Sequence, residues 1–586
     1  MKNVTLCGIN ARYSHSSLAL LCLKHAAPTK KITIVEFSIN DRIAQIVECI
    51  IRTKPDAVGF SCYIWNIEYV LKVASTVKKI LPQCLIILGG PEVSYDSRDI
   101  MKKYDFIDIT IQGEGEIPFA YFIERFEANK SIGDMPSACI RKGCKIISNA
   151  AAPPFDLSRM PFMYADLDVY KNKVIYYETS RGCPFRCAYC MSANETMSFL
   201  PLERVKAELD YFMRANVRQV KLVDRTFNFP SGRFFELIRT LIDLSEKYPQ
   251  SSTNFHLEIS ASLLEDRAIA LLKEARKNLI QLEIGIQSTN PETLRAVSRS
   301  HDMQKLLLNT QMLCSMDNIH THIDLIAGLP YESYDTFKKS FNDAYMLNPD
   351  TLQLGFLKML KGSNIRKIAH QYDIVYSEYP PYEVLSTHLI SYEELSMLHR
   401  IEHVLNMLYN HQYCRKTLAL LIPAFYAPFD FFEAFTLYAD KKGYFEQPQK
   451  ARAVFDLLYE FALHAQAIDG ECLKEALSFD WLCLEKSESW LQRIGASYAD
   501  NDKIIIRRFY RNKKAIQKYL PAYMHLLPKE TEKRCLIYVF KYLFNTHTPV
   551  LFDFGKKRDD PDFVQKIDAQ YWIGDNNTTV NNKRLK

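Results

Sequence analysis

The sequence predicts an α/β protein in three parts: a doubly wound parallel sheet, a partial (β/α)6 barrel and an all-helical C-terminal region. Short apolar runs alternate with helix-length segments in two separate series, and these strand signals fade after about Arg366. The composition agrees, because 48% apolar and 24% charged residues are ordinary values for a globular chain. A length of 586 residues leaves room for several domains.

The first series of strands and helices occupies a predicted domain of residues 1–135. Between the strand-like runs, apolar residues recur at helical spacing, as from Val70 to Leu81. This alternation is typical of a doubly wound parallel sheet of the flavodoxin-like type, in which ligands bind beyond the carboxyl ends of the strands. The predicted strands are Val4 to Ile9, Ile32 to Phe37, Ala57 to Ser61, Leu85 to Leu88 and Phe106 to Ile111.

A linker and the second series come next. Residues 136–172 lose the alternation and contain several prolines, so we expect a linker with a small hairpin around Lys142-Gly143. Residues 173–368 repeat strand and helix six times, too few for a complete barrel of roughly 250 residues, and therefore predict an open, partial barrel. The predicted strands are Val174 to Thr179, Gln219 to Val223, Phe255 to Ile259, Gln281 to Ile286, Thr321 to Ala327 and Leu352 to Leu357.

The last third of the chain differs from the rest. Over residues 369–573 glycines are scarce and the apolar spacing is helical, as from Ala451 to Leu463, which predicts an all-helical domain. Residues 574–586 are polar and rich in asparagine, and this composition predicts a disordered tail.

The charge balance and the chain's apolar stretches restrict the class of protein. Lys+Arg number 74 and Asp+Glu 68, so the net charge of +6 neither requires nor forbids nucleic acid. No apolar stretch reaches the ~18 residues that a membrane-spanning helix needs. The N-terminal residues lack the apolar core of a signal peptide. We therefore expect a cytoplasmic protein with no membrane partner.

Three of the fifteen cysteines stand apart from the others. Cys183, Cys187 and Cys190 have C-x3-C-x2-C spacing and directly follow the first strand of the second series. Three thiols on one tight loop can bind one metal centre, and thiolates select zinc or an iron-sulfur cluster. A closed zinc site needs a fourth ligand, and the nearest downstream His or Cys is the distant His256. An iron-sulfur cluster is therefore favoured, and zinc stays the alternative.

The cysteine loop, with an aromatic residue before its last cysteine, resembles the radical S-adenosylmethionine superfamily. The resemblance implies that the three cysteines hold a [4Fe-4S] cluster whose remaining iron binds S-adenosylmethionine. It further implies that one electron, supplied by a reductase, cleaves this cofactor to methionine and a 5′-deoxyadenosyl radical. Tyr189 is then expected to lie against the adenine.

Other strand-end motifs resemble the S-adenosylmethionine site of that superfamily. The usual Gly-Gly-Glu is replaced here by Asp-Arg-Thr-Phe-Asn, which resembles members with a cobalamin-binding domain and implies Asp224 or Asn228 near the methionine part. Glu258 matches a position directed to the ribose, and Gln287 and Gly328 match cavity-lining positions. A solvated strand-end carboxylate for Glu258 and a plain strand-to-helix turn for Gly328 remain alternative interpretations.

The N-terminal sheet resembles cobalamin-binding domains at the ends of its strands. A serine, Ser61, ends the third strand, Gly89 and Gly90 follow the fourth, and Gly113 follows the fifth. The resemblance implies that these positions admit cobalamin and its nucleotide tail. The Asp-x-His-x-x-Gly motif that supplies a cobalt ligand is absent, so we expect no protein histidine on the cobalt. On the glycines alone, tight turns without a ligand stay the alternative.

The order of the domains resembles the cobalamin-dependent radical S-adenosylmethionine enzymes over about residues 1–370. The last third resembles a C-terminal domain of unknown function found in such proteins. The resemblance implies a methyltransferase that acts on an unactivated carbon or phosphorus centre of a small-molecule or peptide substrate.

Three alternative functions stay open at this point. The first is a radical rearrangement or cyclisation without methyl transfer. The second is an RNA-binding or RNA-modifying factor, supported by the basic run from Arg507 to Lys514, although nucleic acid is not the expected partner. The third is a non-catalytic protein that senses redox state or cobalamin.

Overall fold

The computed structural model describes residues 2–27, 31–170, 172–194, 196–299, 302–447, 449–464, 469–496, 500–544, 546–558, 560 and 562–573. The chain divides into two compact units, Met1–Ser396 and Met397–Lys586. The stretch 574–586, for which the sequence predicts disorder, lies outside the described residues.

A seven-stranded sheet forms the N-terminal part of the first unit. Its strands are β1 (Val4–Asn10), β2 (Ile32–Ser38), β3 (Ala57–Ser61), β4 (Leu85–Gly89), β5 (Ile109–Ile111), β6 (Ala138–Lys142) and β7 (Lys145–Ser148). Its helices are α1 (Leu18–Ala26), α2 (Ile43–Arg52), α3 (Ile67–Ile80), α4 (Pro91–Ser94), α5 (Ser97–Lys103) and α6 (Glu116–Glu127). The first five strands are parallel in the order β2-β1-β3-β4-β5, which confirms the doubly wound, flavodoxin-like prediction.

The hairpin around Lys142-Gly143 extends this sheet. Strand β6 pairs antiparallel with β5, and β7 pairs antiparallel with β6. The prediction assigned this hairpin to the linker, but its pairing makes residues 138–148 the sixth and seventh strands of the N-terminal sheet. Strand β6 covers backbone groups of β5 that would otherwise form an open sheet edge.

A parallel six-stranded sheet forms the second part of the first unit. Its strands are β8 (Ile175–Tyr177), β11 (Gln219–Leu222), β12 (Asn254–Ile259), β13 (Ile280–Gln287), β14 (His320–Ala327) and β15 (Thr351–Phe356). Two short strands lie between β8 and β11 along the chain, β9 (Ser180–Arg181) and β10 (Ser198–Phe199). They pair antiparallel with each other in a separate two-stranded sheet. The six strands follow chain order and are all parallel, which confirms the predicted partial (β/α)6 array.

Helices on the outer face cover this array, and a short segment follows it. The helices are α7 (Leu202–Arg214), α8 (Ser231–Lys247), α9 (Asp266–Lys273), α10 (Pro291–Ala296), α11 (Met303–Cys314) and α12 (Tyr334–Met346). After β15 come α13 (Asn364–Lys367), β16 (Val375–Tyr376) and β17 (Val384–Ser386). Along β13 and β14 buried and half-buried residues alternate, so apolar side chains face the helices while polar side chains face the barrel interior.

The C-terminal region is mainly helical, as predicted. Its helices are α14 (Tyr392–Leu405), α15 (Arg415–Leu421), α16 (Pro428–Lys441), α17 (Ala451–His464), α18 (Gly470–Leu484), α19 (Glu488–Arg493), α20 (Asp500–Arg511), α21 (Lys513–Tyr519), α22 (Pro528–Arg534) and α23 (Ala569–Ile573). Among the described residues no single helix is long and apolar enough to cross a membrane. One helix pair bent by 103°, Arg415–Ala424 with Pro428–Lys441, meets the length and composition criteria when its two helices are taken together.

The prediction of an all-helical domain over residues 369–573 needs two corrections, because the β16–β17 pair falls within these bounds and a second sheet lies near their end. Strands β18 (Cys535–Phe540), β19 (Thr548–Asp553) and β20 (Val564–Lys566) form an antiparallel sheet in that order. Every residue of β18 is buried. A short, continuous apolar run of this kind has no period that separates a buried strand from a buried helix, so the sequence pattern did not identify it.

One glycine at the carboxyl edge of the N-terminal sheet tests this fold. Gly90 has φ of +107°, and a Cβ built on it would lie 2.6 Å from the carbonyl oxygen of Cys62. Gly90→Ala is therefore expected to destabilise the first unit by at least about 2 kcal/mol, because it adds backbone strain and a clash with main-chain atoms. Thermal unfolding followed by circular dichroism measures this change.

The control for this substitution is Gly232→Ala. A Cβ on Gly232 meets nothing within 4 Å, and this residue lies in the first turn of α8. Gly232→Ala is expected to leave the unfolding midpoint unchanged or to raise it slightly. An equal midpoint for both variants would contradict the packing assigned to Gly90.

Candidate functional site

The three cysteines lie on a loop that follows β8 at the carboxyl end of the barrel strands. We call residues 182–190 the cysteine loop. Cys187 is buried, whereas Cys183 and Cys190 are half-buried. The β9–β10 pair closes the base of the loop. Gly182 has φ of +87°, and its built Cβ would lie 2.8 Å from the Thr196 carbonyl oxygen, so only glycine fits this closure without strain.

Asp224 anchors the start of the cysteine loop. Its carboxylate accepts hydrogen bonds from the Thr179 backbone N–H at 3.0 Å, the Thr179 hydroxyl at 2.7 Å and the Ser180 hydroxyl at 2.5 Å. Burial raises the pKa of Asp224 to about 6, although these three hydrogen bonds oppose the shift. The predicted contact of Asp224 with the methionine part stays a prediction, and the structure adds this anchoring role.

Asn228 also contacts protein rather than open space. Its side-chain oxygen accepts from the Ser260 N–H at 2.9 Å, and its amide donates to the Ser260 carbonyl at 2.8 Å. This two-bond contact joins the loop after β11 to the end of β12. Both Asp224 and Asn228 are 1% exposed, so the first and last residues of the Asp-Arg-Thr-Phe-Asn run hold neighbouring strand ends together.

A residue that the sequence analysis did not identify, Arg299, holds the other end of the loop. Its Nη1 lies 3.1 Å from the Tyr189 hydroxyl oxygen and 3.5 Å from the Cys187 Sγ, and its Nη2 donates to the Gly285 carbonyl. The Ala188 N–H also donates to the Val297 carbonyl at 2.8 Å. The arginine follows Tyr189 by 110 residues, so no local spacing signals this contact.

Charged side chains from adjacent strands meet inside the barrel. Glu283 of β13 lies 2.6 Å from His256 Nε2 on β12 and 3.1 Å from Lys221 Nζ on β11. Burial favours the neutral form of Glu283, but the His256 hydrogen bond and the Lys221 charge outweigh it and lower its pKa to about 2. Glu283 therefore carries the negative charge of this group.

Glu258, the predicted ribose contact, lies beside these charges at the end of β12. Lys221 and Arg225 approach its carboxylate only to 4.0 Å. Burial, and then the charge of Glu283, raise the pKa of Glu258 to about 7. The carboxylate faces the barrel interior and is a quarter exposed, so it is a hydrogen-bonding group available to a ligand.

The structure supports different interpretations for the two remaining predicted positions, Gln287 and Gly328. Gln287 has φ of +69° at the end of β13, where the register with β14 shifts, and its buried Oε1 has no hydrogen-bond partner among the described residues. A strained backbone and an unsatisfied acceptor are typical of ligand-binding positions. Gly328 instead packs under Val384, whose Cγ1 would lie 2.6 Å from a Cβ at this glycine, which favours the turn interpretation.

The predicted cobalamin positions lie together at the carboxyl edge of the N-terminal sheet. A Cβ on Gly113 would meet nothing within 4 Å, and on Gly89 its nearest neighbour would be 3.8 Å away. Gly90 is filled by the Cys62 backbone, and Ser61 is buried with its carbonyl accepting from Asn66. Two open glycines therefore fit a bulky cofactor at this edge, whereas Gly90 shapes the turn.

Two aromatic residues that the sequence analysis passed over border this edge. The rings of Tyr63 and Trp65 stack with centroids 4.4 Å apart, and Trp65 is 45% exposed. The Trp65 Nε1 donates to the Ile9 carbonyl at 3.3 Å. His15, in the loop after β1, lies 3.2 Å from the Tyr176 hydroxyl of β8, so this loop touches the barrel.

Arg181 joins the carboxyl edge of the N-terminal sheet to the carboxyl end of the barrel strands. It stands directly before Gly182, and its guanidinium pairs with Glu114 and Glu116 of the N-terminal sheet and with Glu178 of the barrel. We call these four residues the arginine clasp. The clasp brings the loop after β5 against the cysteine loop, and the sequence analysis assigned no role to any of its members.

The donor set of the cysteine loop fits an iron-sulfur cluster. Three thiols lie on one loop, and each cysteine of a four-iron cluster binds its own iron. Within the described ranges, no three His, Cys, Asp or Glu side chains are grouped as ligands of a single metal ion. The predicted roles of Cys183, Cys187 and Cys190 stay predictions, and their placement is compatible with them.

Comparison with protein families agrees with the architecture. Residues 4–123 match the B12 binding domain, residues 177–344 match the Radical SAM superfamily, and residues 370–552 match a protein family of unknown function, DUF4080. The chain combines a B12-binding domain with a radical SAM domain. Cobalamin and S-adenosylmethionine are accordingly the cofactors of these two matched domains.

Curated relatives match this chain over less than two thirds of their own length. It is 29% identical over 306 residues to a 2-(S-pantetheinyl)-carbapenam-3-carboxylate methyltransferase of Streptantibioticus cattleyicolor, and 27% identical over 305 residues to the cobalamin-dependent radical SAM methyltransferase TokK of Streptomyces tokunonensis. Each match covers 49% of this chain and 44% of the relative. An anaerobic magnesium-protoporphyrin IX monomethyl ester cyclase of Rubrivivax gelatinosus is 24% identical over 52% of this chain and 57% of the relative.

Solved structures share the fold. The cobalamin-dependent S-adenosylmethionine radical enzyme OxsB, with aqua-cobalamin and S-adenosylmethionine bound, has a TM-score of 0.58 and 13% identity over 86% of this chain and 81% of its own. The radical S-adenosylmethionine methyltransferase TsrM of Kitasatospora setae has a TM-score of 0.54 and 14% identity over 65% and 78% of the two chains.

The protonation of Glu258 gives a test of the site's electrostatics. Its pKa of about 7 exceeds the ordinary value of 4.5, so its contribution to stability is complete below about pH 4.5 and is lost as the pH rises through 7. In cofactor-free protein, the wild-type unfolding midpoint should fall relative to Glu258→Gln between pH 5 and pH 8. We expect a difference on the order of 2 kcal/mol, or roughly 2 °C in a unit of this size.

The control, Glu265→Gln, removes an exposed carboxylate whose pKa the Ser231 hydroxyl holds below its usual value. That variant should show no such relative fall. A midpoint difference between wild type and Glu258→Gln that is constant from pH 5 to pH 8 would refute the raised pKa.

The anchoring role of Asp224 can be tested through the cluster. Asp224→Ala leaves the Thr179 N–H and the two hydroxyl groups without their acceptor, a loss of about 2–3 kcal/mol at the start of the cysteine loop. After anaerobic reconstitution, iron per chain is expected to fall to less than roughly half of the wild-type value. Asp210→Ala, which removes a half-buried partner of Lys247 and Tyr248 on α7, should retain wild-type iron. Full iron retention by Asp224→Ala would show that the loop does not need this anchor.

Proposed function

We propose that the protein is a cobalamin-dependent radical S-adenosylmethionine methyltransferase that acts on an unactivated carbon or phosphorus centre. The arginine clasp carries this proposal, because it sets the edge of the B12-binding domain directly against the loop with the three cysteines. A methyl group and a substrate radical must meet within one enclosed site for such a transfer. The two methyltransferases among the curated relatives support the same reaction class.

Some residues of this chain would bind the cluster, and others position the loop that carries them. Cys183, Cys187 and Cys190 would hold the cluster, and Asp224 and Arg299 position their loop. When bound, the cluster supplies the electron that cleaves S-adenosylmethionine, and cobalamin carries the methyl group.

The barrel interior would provide the polar floor of the site. Glu258 and Gln287 offer hydrogen-bonding groups to the ribose and the substrate, while the Lys221–Glu283–His256 group keeps its own charges paired beneath them. This arrangement would bind a polar small-molecule or peptide substrate without leaving a buried charge unbalanced.

We further propose a reducing compartment and an external electron donor. None of the fifteen cysteines, all of which lie within the described residues, forms a disulfide, as in proteins that work where thiols stay reduced. The reducing compartment would be the cytoplasm. The external electron donor would be a reductase, which supplies the electron that cleaves S-adenosylmethionine.

A second candidate keeps the radical chemistry and omits the methyl transfer. The cyclase among the curated relatives favours it, since that protein matches over about the same share of this chain as the methyltransferases. The products separate the two candidates: methyl transfer yields S-adenosylhomocysteine, whereas a rearrangement or cyclisation yields 5′-deoxyadenosine without it.

The nucleic-acid candidate loses its main support. Binding of single-stranded nucleic acid requires exposed aromatic residues between the cations. Phe509, Tyr510 and Tyr519 are instead buried in the core of the C-terminal unit. The exposed cations Arg507 and Arg508 then form a charged helix face. A non-catalytic sensor stays distinguishable by its failure to cleave S-adenosylmethionine.

The decisive experiment is anaerobic reconstitution with iron, sulfide and hydroxocobalamin, followed by desalting and metal analysis. We expect four irons and one cobalt per chain, and S-adenosylhomocysteine as a product when a reductant and S-adenosylmethionine are supplied together with substrate. Four irons without cobalt would refute methyl transfer by this route and favour the rearrangement.

Matched cysteine variants make the result specific. Cys187→Ala should lose most of the iron, because it removes a buried loop thiol. Cys144→Ala removes an exposed thiol beside the β6–β7 hairpin and should retain all of the iron. Equal iron in the two variants would contradict the assignment of the cluster to the cysteine loop.

A further inference from the structure

The arginine clasp connects the two cofactor domains through one side chain. Arg181 Nη1 donates to Glu114 at 2.7 Å, and Nη2 donates to Glu116 and to Glu178, each at 2.8 Å. Its Nε donates to Glu178 at 3.2 Å. All three guanidinium nitrogens are used, and two of the three carboxylates belong to the other domain.

The clasp is placed where an ion pair has structural consequences. The Arg181 and Glu178 side chains are each 16% exposed and that of Glu116 is 6% exposed, so solvent screens these three charges little, whereas Glu114 is 35% exposed and is screened more. An unpaired charge at such a site is costly, and the planar fork of arginine satisfies several carboxylates at fixed angles. Separating the two loops would leave buried charges without partners.

The carboxylate side of the clasp is itself held firmly. Glu114 Oε2 accepts from the Phe155 N–H at 2.7 Å, which ties the loop to the segment that leads into the barrel. The Gly113 N–H donates to the Ser94 hydroxyl at 3.1 Å. A Cβ on Gly115 would lie 2.8 Å from a Leu23 methyl carbon, so α1 packs closely against the loop.

The arginine side is equally close to the cysteines. Arg181 belongs to β9, whose partner β10 closes the cysteine loop, and Cys183 follows after one residue. The neighbouring Ser180 is bound by Asp224. A displacement of Arg181 would therefore move the first cysteine. A displacement of Glu114 or Glu116 would move the neighbouring open glycine, Gly113.

We propose that Arg181 is a positioning residue that makes cofactor binding in one domain depend on the other. Cobalamin at the sheet edge would further stabilise the position of residues 113–116, and through the clasp it would stabilise the position of the cysteine loop. By thermodynamic reciprocity the cluster would strengthen cobalamin binding by the same factor. The inference rests on the proposed two-cofactor function and adds a coupling between the two sites.

The first test uses cofactor-free, full-length protein and hydrogen exchange. Arg181→Gln should accelerate exchange at least about fivefold in peptides that cover residues 113–116 and Phe155, although the substitution lies in the barrel. Arg239→Gln removes an arginine from the Arg239–Glu274 pair inside the barrel domain and should leave those peptides unchanged. Unchanged exchange in Arg181→Gln would overturn the clasp as a positioning device.

The second test measures each cofactor in variants of the opposite domain. Arg181→Gln should weaken the binding of hydroxocobalamin to cluster-loaded protein by at least about fivefold, within the usual range of coupling between sites. The double variant Glu114→Gln/Glu116→Gln should lower the iron retained by the cysteine loop. Glu178→Gln, which changes a carboxylate of the barrel itself, should affect cobalamin less than the double variant does.

Conservative replacement and spectroscopy separate positioning from general damage. Arg181→Lys keeps the charge and should recover part of the cobalamin affinity, whereas a misfolded protein would recover none. In wild type, the reduced cluster should accelerate relaxation of the cob(II)alamin electron-paramagnetic signal uniformly. In Arg181→Gln this acceleration should become heterogeneous, because the distance between the two centres is no longer fixed.

The outcomes distinguish the coupling from the function on which it rests. Wild-type protein that retains no cobalt would refute the proposed function, and the coupling with it. Wild-type protein that retains both cofactors, with each variant affecting only the cofactor of its own domain, would refute the coupling alone.

Discussion

The loop after β5 is held against the cysteine loop by the half-buried guanidinium of Arg181, one of several ion pairs that join the two parallel sheets at their carboxyl ends. Parallel strands direct their variable loops to one edge, so each domain presents its ligand-binding loops there. Loops bury little apolar surface, so apolar packing alone does not hold two such edges together. A directed polar interaction is needed as well. Arg181 supplies this interaction with short ion pairs to Glu114 and Glu116.

The same arrangement explains why so many buried polar groups gather near the cysteine loop. Asp224 accepts three hydrogen bonds from Thr179 and Ser180, and Arg299 donates to two groups of the cysteine loop and to the Gly285 carbonyl of β13. A loop that must offer thiols to a cluster cannot be held by apolar packing alone, since its inner surface faces the cofactor. Hydrogen bonds from neighbouring strand ends replace that packing and fix the loop from behind.

Much of the fold was predictable because its signals are periodic. Alternation of strands and helices identified both sheets, and the C-x3-C-x2-C spacing located the cysteine loop at the end of β8. The hairpin around Lys142-Gly143 was also found, but its place in the sheet was not, because pairing with β5 is a long-range contact. Strand β18 was missed because a continuous apolar run carries no period.

The sequence by itself determined the two α/β series, the helical character of most of the C-terminal region and the identity of the three cysteines. These properties reside in local spacing, which persists in an extended chain. Only the tertiary structure decided that Asp224 and Asn228 brace strand ends, that Gly328 packs under Val384, and that Gln287 keeps a buried acceptor without a partner among the described residues. It alone joined Arg181 to Glu114 and Arg299 to Tyr189, since such contacts form between residues 67 and 110 positions apart, where spacing carries no information.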